Sequence, residues 1–279
     1  MICKFTHFHI YIIRDIIVLG RIGNMEKINH FGISYKSDNK NLKIDRNLYA
    51  IIDKKNHDLS HYRSHYFRMK QLANDETQSE SLRNFGRHRC EYLLKIFEDD
   101  SLELYTDEYC KEHQKDCLLN YDLNMKFFKK LNSDEFKKNI NKIKNKWRKL
   151  EEIDDITKYE GINGIYILVL DEYKQMYVGE SKNICKRIKE HWNRKKAFDK
   201  LIFGRVEDSV LSIDSFGPLD TTRIFIYETY DNYKIEERLT SYIPKKFLLN
   251  RTTGGFRGDA DVEIKVATIA NKNKRNLVK

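Results

Sequence analysis

Cysteine is scarce in this chain, and so are the features of an exported or membrane-spanning protein. The 279 residues include five cysteines, an odd number that argues against a secreted scaffold held by disulfides. Arg14 and Asp15 interrupt the apolar opening of the chain, and no small-residue cleavage site follows. Neither a spanning helix nor a secretory signal fits this pattern. We therefore expect an intracellular protein, in the cytoplasm or at the nucleoid or nucleus, with no membrane partner.

The first residues allow two interpretations. Residues 1–24 are either a translated leader ahead of a start at Met25 or a loosely attached strand, and the sequence leaves both open.

The charge balance favours a polyanionic partner. The chain has 52 basic and 42 acidic residues, a net charge of +10 and a pI near 9.1, which is typical of proteins that bind nucleic acid. The 34% of charged residues would also fit a soluble interaction module.

The stretch 164–192 has the pattern of a strand, a turn, a second strand and a helix. Residues 165–170 are apolar at every position, which indicates a strand buried on both faces. Residues 176–178 form a second short strand that ends at Gly179, and a helix is predicted from about Lys182.

The predicted helix has one apolar face, formed by Ile184, Ile188, His191 and Trp192, with Arg187 at its edge. A guanidinium in this position suits a phosphate or a carboxylate. The alternative is a surface arginine beside a packed helix.

The tripeptides GIY at 164–166 and YVG at 177–179 resemble the two markers of the GIY-YIG nuclease superfamily. The family's next marker is an arginine eight residues after the last glycine, and Arg187 lies there. Some members carry a histidine four residues later, which His191 matches. The resemblance covers about residues 157–258 and implies a metal-dependent nuclease.

The resemblance also assigns roles. It implies that Tyr166 contacts or deprotonates the attacking water with Tyr177 beside it, and that Arg187 stabilises charge on the phosphate. His191 would assist proton transfer or bind phosphate. Asn250, in the closing segment, would orient neighbouring groups.

The family places a metal-binding glutamate on the helix predicted over 232–243. Glu236 flanks the apolar face of that helix and Glu237 points away from it, so we expect Glu236 to be the ligand. A single carboxylate would hold one Mg²⁺ or Mn²⁺ ion, with water and phosphate oxygens completing the coordination.

Two features leave questions open. The tyrosines share a sheet face only if the hairpin loop between them holds an even number of residues. Glu180 follows Gly179 where the family usually has a small polar or basic residue, and a carboxylate there would repel phosphate. Glu180 is the feature that favours the alternative function, a nucleic-acid-binding module that has lost catalysis.

The segment 56–72 interleaves histidine, arginine and aromatic residues. Such a mixture can stack on bases and contact phosphates. Helical spacing favours the alternative, an amphipathic helix with Tyr62, Tyr66 and Met69 in the core.

A basic helix is predicted from Asn132, which can cap it with Glu135 three positions later. Its apolar stripe is formed by Phe136, Ile140, Ile143, Trp147 and Leu150. The remaining faces are rich in lysine and arginine. They are either solvated or track phosphates, and the candidate DNA contacts are Lys142, Lys146, Arg148 and, beside the motif, Lys182.

Cys90, Cys110, His113 and Cys117 are ligand types for a structural zinc site. Their spacing is irregular and no CxxC pair occurs, so the sequence favours ordinary buried cysteines over Zn²⁺.

Together these patterns predict an α/β (α+β) protein. A mostly helical, basic DNA-recognition domain at 25–156 precedes a GIY-YIG domain at 157–258, which has a three-stranded antiparallel sheet flanked by helices, and a basic tail at 259–279. The expected function is cleavage of DNA, with double-stranded DNA favoured and RNA as an alternative substrate. Restriction, homing and repair roles are not separated by the sequence, and neither are oligomeric states.

Overall fold

The computed structural model describes residues 26–251, so the predictions for residues 1–24, for the tail 259–279 and for the end of the 157–258 domain lie outside it. The described residues form seven α-helices, a four-stranded antiparallel sheet and a two-stranded sheet. The predicted mixed α/β class is confirmed. No helix in this range has the length and apolar character needed to cross a bilayer.

The described chain opens with a hairpin that the sequence analysis missed. Strands β1 (Lys27–His30) and β2 (Ile33–Lys36) are antiparallel. Phe31 and Gly32 connect them with φ angles of 48° and 80°, the left-handed conformation that a tight two-residue hairpin turn requires. The Phe31 carbonyl accepts a hydrogen bond of 3.1 Å from the Ile156 N–H. This bond holds the hairpin to the chain segment that leads into the motif.

Five helices follow: α1 Arg46–Tyr49, α2 Leu59–Asn74, α3 Glu80–Ile96, α4 Asp107–Lys130 and α5 Ser133–Lys146. In α2, Tyr66 is buried and the Tyr62 ring lies 5.4 Å from the Phe97 ring. The core interpretation is confirmed for these two tyrosines, whereas Met69 is half-buried and belongs to neither hydrophobic cluster.

Helix α5 begins where the sequence predicted. The Asn132 side chain accepts a hydrogen bond of 2.9 Å from the Glu135 N–H, which satisfies one of the free donors at the helix start. The Glu135 carboxylate pairs with Lys246 at 2.7 Å. The predicted apolar stripe is buried, at Phe136, Ile140, Ile143, Trp147 and Leu150.

The main sheet has the order β3-β6-β4-β5, and every neighbouring pair is antiparallel. Its strands are β3 Glu151–Ile153, β4 Gly164–Leu170, β5 Gln175–Ser181 and β6 Arg223–Glu228. The three predicted strands are β4, β5 and β6. The short edge strand β3 adds a fourth, because three residues are too few to give a recognisable alternation.

Strand β4 is buried at all of its seven positions, as expected of a strand covered on both faces. Helices α6 (Ile184–Asn193) and α7 (Asn232–Tyr242) pack against β4 and β5. On α6 the residues predicted to face inward are buried, and Arg187 at the edge is half-buried.

Residues 194–222, between α6 and β6, form an insert that contains only short 3₁₀ turns. The insert nevertheless buries apolar side chains, at Phe198, Val210, Leu211, Ile213 and Phe216. The Asn124 side chain on α4 donates a hydrogen bond of 3.0 Å to the Ser209 carbonyl. Packing and side-chain hydrogen bonds therefore order the insert in place of regular structure.

Two hydrophobic clusters hold the molecule together. The larger one joins Phe127 on α4 and Phe136 on α5 to Ile167 and Ile226 in the sheet. The smaller one joins Tyr66 and other residues of the helical part to Phe198 and Leu201 in the insert. The first cluster therefore crosses the predicted boundary between 156 and 157, and the division into two domains stays a prediction.

Candidate active site

The two motif tyrosines lie on the same face of the sheet. Leu170 pairs with Gln175, so the loop between the strands is 171–174, an even number of residues. In this register Tyr177 lies opposite Leu168, two positions from Tyr166, and residues two apart on a strand share a face. The tyrosine rings are 6.3 Å apart between centroids. The condition that the sequence left open is met.

Gly179 lies directly opposite Tyr166 in the same ladder. A Cβ atom at position 179 would overlap the Cζ and Oη atoms of Tyr166. The Tyr166 ring therefore lies over the glycine, and no larger residue fits there while the ring keeps its position.

Glu180 comes next on β5 and pairs with Ile165. Because side chains alternate along a strand, Glu180 projects from the face opposite Tyr177 and Gly179. The carboxylate that seemed unfavourable for phosphate binding in the sequence is thus on the other side of the sheet from the tyrosines.

His191 on α6 connects the tyrosines to the insert. The Tyr166 hydroxyl and His191 Nε2 are 2.7 Å apart, and His191 Nδ1 lies 2.5 Å from the Asp214 carboxylate. The His191 ring also meets the Tyr177 ring edge-on, with 5.1 Å between centroids. Tyr166, His191 and Asp214 therefore form a continuous hydrogen-bonded chain from the sheet, through the helix, to the insert.

Burial and charge set the protonation of these groups. Burial raises the pKa of Tyr166 well above its ordinary value, and the neighbouring Tyr177 adds to this, while Arg187 works against it. Burial also raises the pKa of Tyr177. For Asp214, burial alone would raise the pKa, but the hydrogen bond and charge of His191, followed by Lys196, outweigh it and lower the pKa. Both phenols are therefore neutral at rest and Asp214 is ionised.

Arg187 on α6 carries a charge within electrostatic range of both tyrosines. Its guanidinium pairs with Glu190 one turn later at 3.0 Å, and its side chain is 38% exposed. Burial would lower the pKa of Arg187, but Tyr166, Glu190 and Tyr177 outweigh that effect and raise it. Arg187 thus carries a permanent positive charge at the border between the tyrosines and solvent.

The structure distinguishes the two adjacent glutamates on α7. Glu236 is 5% exposed, whereas Glu237 is exposed. The Glu236 carboxylate raises the pKa of both Tyr166 and Tyr177, so it lies within electrostatic range of the two phenols. This matches the side of the helix that the wheel selected.

The donors near Glu236 fit one hard cation. A carboxylate is a ligand type that Mg²⁺ and Mn²⁺ accept, and Mg²⁺ commonly binds through one or two carboxylates with water and phosphate completing its shell. Among residues 26–251 no group of three or more His, Cys, Asp or Glu side chains is placed to hold a metal. A closed all-protein cage is therefore absent from this range, and an open site on Glu236 is compatible with it.

Asn250 is bound to the backbone of β5. Its amide donates to the Val178 carbonyl at 2.7 Å and accepts from the Val178 N–H at 3.0 Å. Both of its functional groups are thus engaged with the strand that carries Tyr177. The geometry gives Asn250 a positioning contact with β5.

Arg251 fastens the insert. Its guanidinium donates to the carbonyls of Val210 at 2.7 Å and Leu201 at 2.6 Å, and burial lowers its pKa to about 10. Asn250 and Arg251 together connect the edge strand of the sheet to the loop that contains Asp214.

A cleft of about 890 Å³ opens beside Arg187 and Asp214. The segment 39–57 of the N-terminal part forms one wall and the insert forms the other. Basic side chains line it, at Lys40, Lys43, Arg194, Lys195, Lys196 and Lys200, together with the acidic Asp45 and Asp53. Burial, followed by the charge of Arg251, lowers the pKa of Lys196. An anion in the cleft would offset this crowding of positive charge.

The predicted DNA contacts lie elsewhere. Lys142, Lys146 and Arg148 are exposed on or just after α5, and Lys182 is exposed between β5 and α6. None of them is among the residues that line the cleft. The Lys146 ammonium lies 4.4 Å from the centre of the Tyr242 ring on α7, a cation–π contact. The phosphate-binding role of these four residues stays a prediction.

The candidate zinc ligands are engaged in other contacts. His113 Nε2 lies 2.9 Å from the Phe198 carbonyl, and its ring stacks on Tyr109. The Cys90 thiol lies 4.0 Å from the Tyr66 carbonyl, and Cys110 and Cys117 are buried. Cys90 is half-buried, and among the described residues these four do not form a group placed to hold a metal, so the structure gives no support to a zinc site.

Sequence reasoning missed Asp214 and the cleft cations of the insert. Asp214 is 23 positions from His191 in a segment without helical or strand periodicity, and no local pattern marks it. The run Arg194-Lys195-Lys196 was visible as a cluster of charge, and that was the available signal.

Residues 162–244 match the family model of the GIY-YIG catalytic domain. The match covers the strands that carry both tyrosines, α6, the insert and α7. The C-terminal part of the chain thus contains a GIY-YIG domain, which indicates a nuclease of the GIY-YIG superfamily and confirms the resemblance. Searches of curated proteins and of solved structures found no match.

Proposed function

We propose that the protein is a divalent-metal-dependent endonuclease that hydrolyses DNA phosphodiester bonds at the Tyr166–Arg187–Glu236 site, with the substrate in the adjacent basic cleft. The observation that carries this proposal is the convergence of a hydrogen-bonded phenol, a permanent cation and a buried carboxylate within electrostatic range of the phenol. The cation, Arg187, also lines that cleft. Double-stranded DNA is the favoured substrate, because the chain's excess of positive charge suits a dense polyanion.

The residues divide the work of hydrolysis. Arg187 moves from Glu190 to the scissile phosphate and neutralises the charge that develops on its oxygens. This movement also opens the Tyr166 hydroxyl, which is fully covered in the structure. Tyr177, which is half-buried, lies beside the water that approaches it.

The water oxygen forms the new bond to phosphorus while the bond to the ester oxygen breaks. The water gives a proton to the Tyr166 oxygen, and the leaving oxygen takes a proton from solvent. Because burial raises the pKa of Tyr166, the phenol acts as a base only if it passes on its own proton as it accepts the new one.

Glu236 would hold the metal ion, which supplies charge neutralisation at the phosphate. Asn250 keeps β5 in register so that Tyr177 stays beside Tyr166.

A cleavage assay tests the proposal. Supercoiled plasmid, duplex and single-stranded oligonucleotides and RNA are incubated with Mg²⁺, Mn²⁺ or EDTA, and the ends of the products are mapped. We expect cuts in duplex DNA with either metal and none with EDTA. Faster cleavage of RNA than of DNA would indicate that RNA is the substrate. Binding without cleavage under all conditions would contradict the proposal that the protein is an enzyme.

Two variants test the site itself. Tyr166→Phe and Arg187→Ala should each lower turnover by about 10²-fold or more with DNA binding retained, because each removes a contribution to the transition state. Tyr230→Phe, at an exposed tyrosine, is the control for loss of a hydroxyl. Arg83→Ala is the control for loss of an arginine, since Arg83 also forms an exposed pair with a glutamate three positions away. Normal turnover in either site variant would reject its assigned role.

A further inference from the structure

The second nitrogen of His191 has a partner that lies outside the motif. Asp214 Oδ1 lies 2.5 Å from His191 Nδ1, and the exposed fractions of the two side chains are 20% and 2%. The opposite nitrogen, Nε2, lies 2.7 Å from the Tyr166 hydroxyl. The imidazole is thus held from both sides, and its ring is almost completely buried.

The partners of an imidazole decide which nitrogen carries its proton. An ionised carboxylate can only accept, so Asp214 requires a proton on Nδ1. The lone pair of a neutral ring then lies on Nε2, facing Tyr166, and the phenol becomes the donor. With the opposite tautomer Nε2–H would donate to the phenol, and Tyr166 could not pass its proton to the ring.

The charge of Asp214 is consistent with this arrangement. His191 and, after it, Lys196 and Arg187 lower the pKa of the carboxyl against the effect of burial. These groups keep the carboxyl ionised at neutral pH, so that it can only accept a hydrogen bond.

Asp214 is held in place by the insert. It lies in a 3₁₀ turn over Ile213–Ser215 whose N-cap is Ser212. The apolar side chains of Ile213 and Phe216 on either side are buried. The packing of the insert therefore sets the position of the Asp214 carboxylate. This carboxylate contacts His191 on α6, the helix that ends at Asn193 just before the insert.

We propose that Asp214 is a positioning residue that fixes the Nδ1–H tautomer of His191, so that Tyr166 can hand its proton to Nε2 as it takes one from the attacking water. The inference rests on the proposed function and adds the residue that sets the direction of the proton transfer. The balance is simple: one proton moves from water to the phenol oxygen and one from the phenol to Nε2. Asp214 keeps its charge throughout and stabilises the imidazolium that forms.

The tautomer can be measured without any nucleic acid. ¹⁵N NMR of the histidine-labelled full chain, at about pH 8.5 where free imidazoles are neutral, reports which nitrogen of His191 is protonated. We expect Nδ1–H in the wild type and Nε2–H in Asp214→Asn, because the asparagine amide can donate to Nδ1. His191→Asn assigns the signal. An Nε2–H ring or a doubly protonated ring in the wild type would overturn the proposal, as would an unchanged tautomer in Asp214→Asn.

Kinetics supply the second readout. Asp214→Asn should lower kcat by about 10²-fold or more with KM within about twofold, since the wrong tautomer damages a step that follows binding. Glu91→Gln is the matched control, because it removes a carboxylate from an exposed pair with His88, and neither residue lines the cleft. Its kcat and KM should stay within about twofold of the wild type.

A double-mutant cycle separates positioning from simple support of the fold. In the His191→Ala background, Asp214→Asn should cost less than about threefold in kcat, because the group it orients is gone. An equal loss of kcat in both backgrounds, or a rise in KM with kcat unchanged, would show that Asp214 only supports the insert. If the wild type cleaves no nucleic acid, the proposed function fails, and the NMR result still decides whether Asp214 sets the tautomer.

Discussion

Two aspartate–histidine pairs lie at the same cleft and differ mainly in their surroundings. Asp214 and His191 are 2.5 Å apart with side chains 20% and 2% exposed. Asp53 and His57 are 2.6 Å apart with side chains 51% and 45% exposed. The distances are nearly equal, so the pair geometry alone does not separate a site from a surface contact.

The second partner of the histidine makes the difference. His191 has the Tyr166 hydroxyl on its other nitrogen and little solvent around it, whereas the ring of His57 is exposed. Water can satisfy and reorient an exposed imidazole, but a buried one keeps the tautomer that its protein partners select. Burial of the pair, more than the contact itself, therefore fixes which nitrogen of the imidazole carries the proton.

The strongest test of the effect of burial uses the two adjacent glutamates on α7. Glu236→Gln should abolish cleavage, by about 10³-fold or more, because it removes the negative charge available to the metal. Glu237→Gln, on the exposed side, should stay within about twofold. Metal-dependent cleavage by the two variants is measured side by side. If Glu237→Gln loses cleavage and Glu236→Gln retains it, the metal ligand is Glu237 and our assignment is wrong.

The histidines give the next largest effect. His191→Ala should lower kcat by about 10²-fold to 10³-fold, within the range for loss of a proton-transfer group, while His57→Ala should change it by less than about twofold. Single-turnover cleavage at saturating enzyme measures the chemical step for both. Similar rates for the two variants would remove the functional distinction between the pairs.

A salt titration compares the walls of the cleft with helix α5. Replacing Arg194, Lys195 and Lys196 with glutamine should flatten the slope of log affinity against log salt by about two to three units if they contact phosphates. The matched triple variant Lys142, Lys146 and Arg148 to glutamine tests the surface that the sequence favoured. Binding is measured on one duplex over a series of salt concentrations. A flatter salt slope in the α5 variant alone would indicate that DNA binds along that helix and not in the cleft.

Acid stability gives the smallest effect. The pKa of Asp214 is lowered in the folded state, so its contribution to stability is present above the unfolded value near 3.8 and is lost as pH falls through the folded pKa. The difference in Tm between the wild type and Asp214→Asn should therefore shrink below about pH 4. The pKa of Asp53 is also lowered, mainly by its hydrogen bond to His57, but solvent screens that pair. Asp53→Asn should leave Tm nearly unchanged, and an Asp214→Asn difference that is constant with pH would contradict the linkage.

Local patterns predicted the parts of the site that are local in the chain. The apolar run of β4 and the helical spacing of α6 predicted the elements that carry Tyr166 and Arg187, which the family resemblance selected, and the wheel of α7 separated Glu236 from Glu237. Each of these depends on the periodicity of one element. The register of the tyrosines depended on the loop at 171–174, whose length the sequence did not fix.

Contacts between distant segments could not be predicted in this way. Asp214 reaches His191 because the insert packs on α4 and is fastened by Arg251. The hairpin β1–β2 forms through a two-residue turn and packs near Trp192, and β3 joins the sheet by pairing with β6. These features depend on tertiary packing, which leaves no periodic signal in one sequence.

The Tyr166 ring fills the space above Gly179, and this has a consequence for how the chain can change over generations. A side chain at position 179 would overlap the phenol, and a smaller residue at 166 would leave a void and remove the hydroxyl from His191. The residues tolerated at one position therefore depend on the residue at the other, although the hairpin loop separates the two positions along the chain. We expect a substitution at either position alone to disturb the contact, and we expect the effects of changes at the two positions to be coupled.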